Sequence, residues 1–342
     1  MLTFFNKNIK QCYPRELSLF MRLLHKFNYF IMLNYTISEG LYGSQQSQKD
    51  INFFDRCTYG DVTAFFDYAL ILKSSQAGDL MAKAMKESVK AFTAELYTAS
   101  VNMDINRIDY LLNGLGETRH TGIGYSSGED DGNGVGKILS ESLKDGLIFM
   151  NQAIAKGNYS YFTIPFALDN IRHDRSSDII TALTKKMLID YTEKLAVSEK
   201  WTTKLITVKN VYEVNSKKWT SIQANLPIVN GKPVILFPKR FINTVSHLDS
   251  IFRSFRRFLF DRYIKHDIKY AAYWQDGKDF ITLKQFREIL KSQGTNYKSV
   301  IRDYVLQDYA IIDQFESNLD NVSSLTDDEL EMLQHCRIRQ VA

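Results

Sequence analysis

TKLITVKNVYEVNSKKWTSIQANLPIVNGKPVILFPK, residues 203–239, decides the fold class. Three runs rich in β-branched and aromatic residues, TKLITVKNVYEV, KWTSIQANLPIV and KPVILFPK, are separated by NSK and NGK. Short polar turns between such runs predict antiparallel strands joined by tight connections, so the stretch reads as a three-stranded meander over about 203–238. What surrounds it is helical. The chain is therefore expected to be α+β, mostly helical with a small three-stranded antiparallel sheet.

Upstream, DLMAKAMKESVKAFTAELYTAS (79–100) repeats Met81, Met85, Val89, Phe92 and Leu96 at helical spacing, and INRIDYLLN (105–113) is a shorter helix that stops at Gly114, where a left-handed turn is expected. Ile179, Ile180, Leu183, Met187, Leu188 and Tyr191 mark a helix that Ser176 or Ser177 would cap, and a further apolar face covers 137–156. Periodicity leaves VTAFFDYALIL (62–72) undecided between strand and helix, ISEGLYGSQQSQKD (37–50) reads as a loop, and LFMRLLHKFNYFIMLNY (19–35) as a core or partner-contacting helix rather than an amphipathic one lying on a membrane. Downstream, SHLDSIFRSFRRFLFDRYIKHDIKY (246–270) reads as one long helix. Capping boxes at Thr282/Gln285 and Thr326/Glu329 start two more. The organisation expected is a helical N-terminal region with a glycine-rich loop over 1–160 and helix, meander and C-terminal helices over 161–342, in one compact unit.

The 342 residues are 44% hydrophobic and 24% charged with only 5 prolines, which excludes disorder as the default state. A net charge of +4 permits an acidic partner without requiring one. Cys12, Cys57 and Cys336 have no metal-ligand spacing, and so sparse a set suits a reducing, cytoplasmic compartment. Arg22, His25 and Lys26 interrupt the most apolar stretch, so neither a signal peptide nor a membrane span is expected.

Four stretches could carry chemistry. HTGIGYSSGEDDGNGVGK (120–137) matches neither phosphate-binding fingerprint, and Glu129, Asp130 and Asp131 would repel an anion. Its acidic residues also lack the alternation of a calcium loop, which leaves a solvated connection able to act as a flap. In RHDRSSD (172–178), Asp174 and Asp178 stand one helical turn apart beside His173 and could hold a divalent cation, Mg²⁺, although Asp and Ser are also ordinary helix-start residues. NGKPVILFPKR (230–240) carries Lys232 and Lys239 at the ends of an apolar strand. With the two carboxylates these would supply a metal-dependent nuclease, but no acidic residue lies two before a lysine on a predicted strand, and Asp276-Gly277-Lys278 is a turn. From Lys239 to Lys269 there are eight Lys or Arg against three Asp, with aromatic residues between them. There Arg253, Arg256, Arg257, Arg262 and Lys265 could neutralise phosphates, while the aromatics either stack on bases or pack inward as core.

DRSSDIITALTKKMLIDYTEKLAV (174–197), LPIVNGKPVILFPKR (226–240) and the preceding GIGYSSGEDDGNGVGK (122–137) together resemble a pattern in uncharacterised bacterial proteins, some of them associated with phage-defence islands. The resemblance covers roughly residues 104–240 and implies a setting, not a catalytic residue. With it, the expectation is an intracellular antiphage-defence effector or sensor that contacts DNA or RNA, with a metal-dependent nuclease as its enzymatic form. The competing expectation is a non-enzymatic subunit, or a homo-oligomer, whose basic helix is a protein interface.

Overall fold

The computed structural model of the chain describes residues 35–334 except 59–61, 116–120, 122–143, 145, 149–150, 152–159, 168–172, 309 and 320–321. The glycine-rich stretch, most of the helix expected over 137–156 and the apolar helix over 19–35, apart from Tyr35, lie outside the described residues.

The fold is α+β. The segment expected as a loop begins with a short helix, α1 (Ile37–Tyr42). Its start is a capping box between Thr36 and Glu39, and Gly43 ends it at φ 79°, a left-handed conformation that glycine adopts without a Cβ penalty. The undecided stretch divides into both alternatives, β1 (Phe65–Phe66) and α2 (Tyr68–Gln76), with Asp67 between them capping the Ala69 amide. Helix α3 (Leu80–Val101) follows the predicted spacing: Met85, Val89, Phe92 and Leu96 are buried. Helix α4 (Ile105–Asn113) does end at Gly114, but that residue is right-handed at φ −78°. Its smallness answers a different need, the close approach of Trp219.

After α5 (Thr163–Ala167) comes the long α6 (His173–Ser198). It starts before the serines expected to cap it. Ser177 Oγ instead accepts from the Phe66 amide at 2.8 Å, and the Ser176 carbonyl accepts from the Tyr161 hydroxyl at 3.0 Å, so both serines anchor neighbouring segments to the helix.

The meander is present: β2 (Thr203–Glu213), β3 (Lys218–Val229) and β4 (Lys232–Pro233) form an antiparallel sheet in sequence order. Lys217 at φ 53° closes the first, four-residue turn (214–217), and Asn230 and Gly231 at 51° and 76° close the second, as a two-residue hairpin requires. The third strand is shorter than expected because the chain leaves the ladder after Val234, whose amide makes a last bond to the Pro227 carbonyl at 3.0 Å. The Leu236 amide donates to Thr192 Oγ1 on α6 at 2.9 Å, and the Phe237 carbonyl accepts from the Phe54 amide at 2.8 Å. The chain then forms β5 (Ile242–Asn243), which pairs antiparallel with β1 in a second, two-stranded sheet.

The remainder is helical: α7 (Val245–Leu259), a five-residue π turn (Phe260–Ile264), a 3₁₀ segment (Ile268–Tyr273), α8 (Leu283–Ser292), α9 (Tyr297–Gln307), α10 (Ile311–Glu316) and α11 (Asp327–Leu333). The long helix expected over 246–270 is thus broken into three geometries. Both expected capping boxes, at α8 and α11, are formed. One apolar core reaches from Phe54 to Leu330 and draws on every part of the described chain, while a smaller cluster around Phe53, Val229 and Leu236 seats α1 against the sheet. Among the described residues no helix is long and apolar enough to cross a membrane.

Candidate nucleic-acid interface

Helix α7 is amphipathic, and its two faces settle which of its residues a partner can reach. Leu248, Ile251, Phe255 and Leu259 are buried, whereas Arg253, Arg256 and Arg257 are exposed. The Phe255 ring stacks on Phe166 of α5 with centroids 4.2 Å apart and meets Phe315 of α10 edge-on at 5.1 Å. Phe252 and Phe258 join the same cluster against Phe166 and Phe315. Of the two roles open to the aromatics, packing is therefore the one they fill. Burial of such rings fixes the helix against the body and directs the arginines outward.

Local contacts hold each cation. The Arg256 guanidinium lies 5.2 Å from the Tyr297 ring centroid, and the Tyr297 hydroxyl donates to the Arg256 carbonyl at 2.9 Å. Arg257 pairs with Asp261 one turn on, and Arg253 reaches back to the Ser246 carbonyl at 3.4 Å. Beyond Leu259 the π turn, closed by the Lys265 amide on the Phe260 carbonyl at 2.9 Å, adds a residue to the turn. Arg262 and Lys265 are consequently rotated away from the positions a continuous helix would give them. Arg262 covers Phe258 at 5.6 Å, and Lys265 covers Phe280 at 4.8 Å. Asp249 on α7 and Asp261 in the π turn stand among these cations, so the basic run has two acidic interruptions.

The other predicted constellation is dispersed. His173 and Asp174 begin α6, but their side chains lie outside the described ones; Asp178 follows one turn later. Tyr191, further along α6, donates to the Asn52 carbonyl at 2.8 Å, and the Lys239 amide donates to that same oxygen at 3.3 Å. This anchors Lys239 near residue 191, roughly 20 Å along the helix from Asp178 at about 1.5 Å per residue. The Lys239 ammonium is itself bonded to the Gln48 carbonyl and to Asp327 at 2.7 Å. Lys232 is exposed at the start of β4. Among the described residues no three His, Cys, Asp or Glu side chains gather as metal ligands; the Mg²⁺ site expected at His173, Asp174 and Asp178 falls partly outside them.

Three features have no signature in the sequence. The β2 strand carries one extra residue between Val208 and Val211, with Asn210 at φ 55°. Lys185 of α6, 3% exposed, fills this bulge and donates to the Asn210 carbonyl at 2.9 Å and the Lys209 carbonyl at 3.3 Å. Burial pushes its ammonium down to about 8. Glu316, at the end of α10, accepts from the Ser160 hydroxyl, and burial pushes its carboxyl up to about 7 against the lowering effect of that hydrogen bond. Finally, Cys57 is buried and disulfide-bonded, with both other cysteines outside the described residues. A bridge there runs against the expectation that so sparse a set stays reduced.

Residues 43–249 match the model of a domain of unknown function, DUF8370, and the chain belongs to that family. No curated protein and no solved structure matches it. The family assigns no activity, so the phage-defence setting rests on the resemblance of the glycine-rich, α6 and NGK stretches alone.

Proposed function

We propose that the protein binds nucleic acid through the outward face of α7, in the phage-defence setting that its resemblance implies. The supporting observation is the division of α7: its aromatics are consumed by the core while Arg253, Arg256 and Arg257 stay exposed on one side. Such a face attracts phosphates by displacing condensed counterions and carries no sequence preference of its own. Arg262 and Lys265 extend the positive field past the π turn.

The test is a titration of DNA and RNA at several salt concentrations. Log affinity should fall steeply with log salt, and Arg256→Gln with Arg257→Gln should lower that slope by about 1.5 for single strands while weakening unrelated sequences equally. No binding at low salt, or an unaltered slope in the double variant, would sink the reading and leave α7 as a protein interface.

A further inference from the structure

The arginines of α7 have cationic neighbours on a second helix. Helix α8 buries Phe286, Ile289 and Leu290, which turns Lys284, Arg287 and Lys291 to solvent on the other side, each about one turn from the next in a single row. Among the described residues none of these three side chains makes a hydrogen bond or an ion pair, whereas Arg257 of α7 is paired with Asp261 and Arg253 reaches the Ser246 carbonyl. The α8 row therefore has its full charge to offer, with Glu288 as the acidic residue exposed beside it. Aromatic contacts bring this row next to the first. Phe286 meets Phe260, where α7 gives way to the π turn, with centroids 5.8 Å apart, and meets Tyr297 edge-on at 5.7 Å. Tyr297 in turn lies under the Arg256 guanidinium and donates to the Arg256 carbonyl. Burial raises the pKa of the Tyr297 hydroxyl, and Arg256 and Arg287 both oppose that rise, so cations from two helices bear on one phenol.

We infer that α7 and α8 form one phosphate track, with Arg253, Arg256 and Arg257 on the first helix and Lys284, Arg287 and Lys291 on the second, and that its ligand is a polynucleotide strand crossing both. This rests on the reading of α7 as a phosphate-binding face and adds to it an extent and a substrate class. The α8 row alone runs about 10 Å, at about 1.5 Å per residue between 284 and 291, which is farther than one phosphate group reaches. A mononucleotide would leave one row empty, whereas a strand repeats its charge at short intervals and can meet cations on both helices. Contacts of this kind fix the path of the backbone and carry no sequence information.

The experiment follows a labelled DNA strand of about 15 nucleotides by fluorescence anisotropy at several salt concentrations. Lys284→Gln, Arg287→Gln and Lys291→Gln together should lower the salt slope by about 2, at about 0.7 per phosphate contact on a single strand, and joining them to the two α7 substitutions should lower it by about 3.5 in all. The altered side chains are exposed, so the melting temperature should hold. If the triple variant fails to melt cooperatively, Arg287→Gln alone serves instead, with an expected fall of about 0.7. A wild-type slope in the α8 variant beside a reduced one in the α7 variant overturns the track and leaves the arginine face standing. A slope that falls with the α8 variant and ignores the α7 variant overturns both readings, because the strand then lies on α8 alone. Absence of binding at low salt also overturns both and returns the two helices to a protein partner.

Discussion

The indole of Trp219 occupies the space that any side chain at residue 114 would need: a Cβ built on Gly114 would stand 1.9 Å from Trp219 Cε2. The indole Nε1 donates to the Leu111 carbonyl at 3.1 Å, and the Trp219 amide donates to the Tyr110 hydroxyl oxygen at 3.0 Å. The end of the β2–β3 hairpin is thereby locked to the end of α4. Gly114→Ala should force the indole away and destabilise the protein by about 1–3 kcal/mol, as overpacking does. Urea denaturation would measure it, and a Trp219→Leu background should reduce the loss. An unaffected Gly114→Ala midpoint would mean the indole moves freely.

Glu316 should give the protein an acid-side gain in stability. Its carboxyl titrates at about 7 when folded, against an ordinary value of 4.5, so the folded state holds a proton the unfolded state has released across that interval. The contribution is full below pH 4.5, declines as pH rises through 7 and stays lost above it. Glu316→Gln should remove this component and raise stability at pH 8 by up to about 3 kcal/mol. Thermal melts from pH 5 to pH 8, at about one-unit steps, would read it as a flatter variant profile.

Lys185 should act at the alkaline end. Its folded value of about 8 lies below the ordinary 10.5, so the folded state releases a proton first and the contribution of this group to stability rises with pH between the two. Lys185→Met should abolish that rise and also strip the bulge carbonyls of their donor, at a cost of about 1–3 kcal/mol near neutrality. A Met variant that retains the wild-type alkaline profile would show that another group causes it.

Lys239 joins the Gln48 carbonyl to Asp327 of α11, and Ser47 bonds Glu331 of the same helix at 2.6 Å. Lys239→Ala should loosen α11 locally, with a global loss of about 1–2 kcal/mol because the pair is only partly buried. Hydrogen exchange of residues 327–333 should quicken more than that of α3. Uniform acceleration across both helices would argue against a local latch.

Much of this architecture was written in local signals. The α3 periodicity, the turns at NSK and NGK, and the capping boxes of α8 and α11 act over a few residues, and the fold uses each of them. Thr36 with Glu39 was an equally local signal for α1, obscured by the glycines and glutamines that follow. Other outcomes depend on partners distant in sequence. Ser176 and Ser177 have the chemistry of caps, but Phe66 and Tyr161 recruit them. VILF reads as a full strand, yet Thr192 and Phe54 draw it out of the ladder. The candidate interface was half legible: the charge of α7 is plain in the sequence, but whether its phenylalanines face solvent or Phe166 depends on a helix some eighty residues earlier.

The family segment ends at Asp249, inside α7, while the ring stack that seats this helix takes Phe166 from within the segment and Phe255 and Phe315 from beyond it. Shared ancestry and cooperative folding therefore have different borders in this chain. Cut at the border of similarity, the polypeptide would lose the rings that shield Phe166 and present an aromatic face to water, a surface prone to self-association.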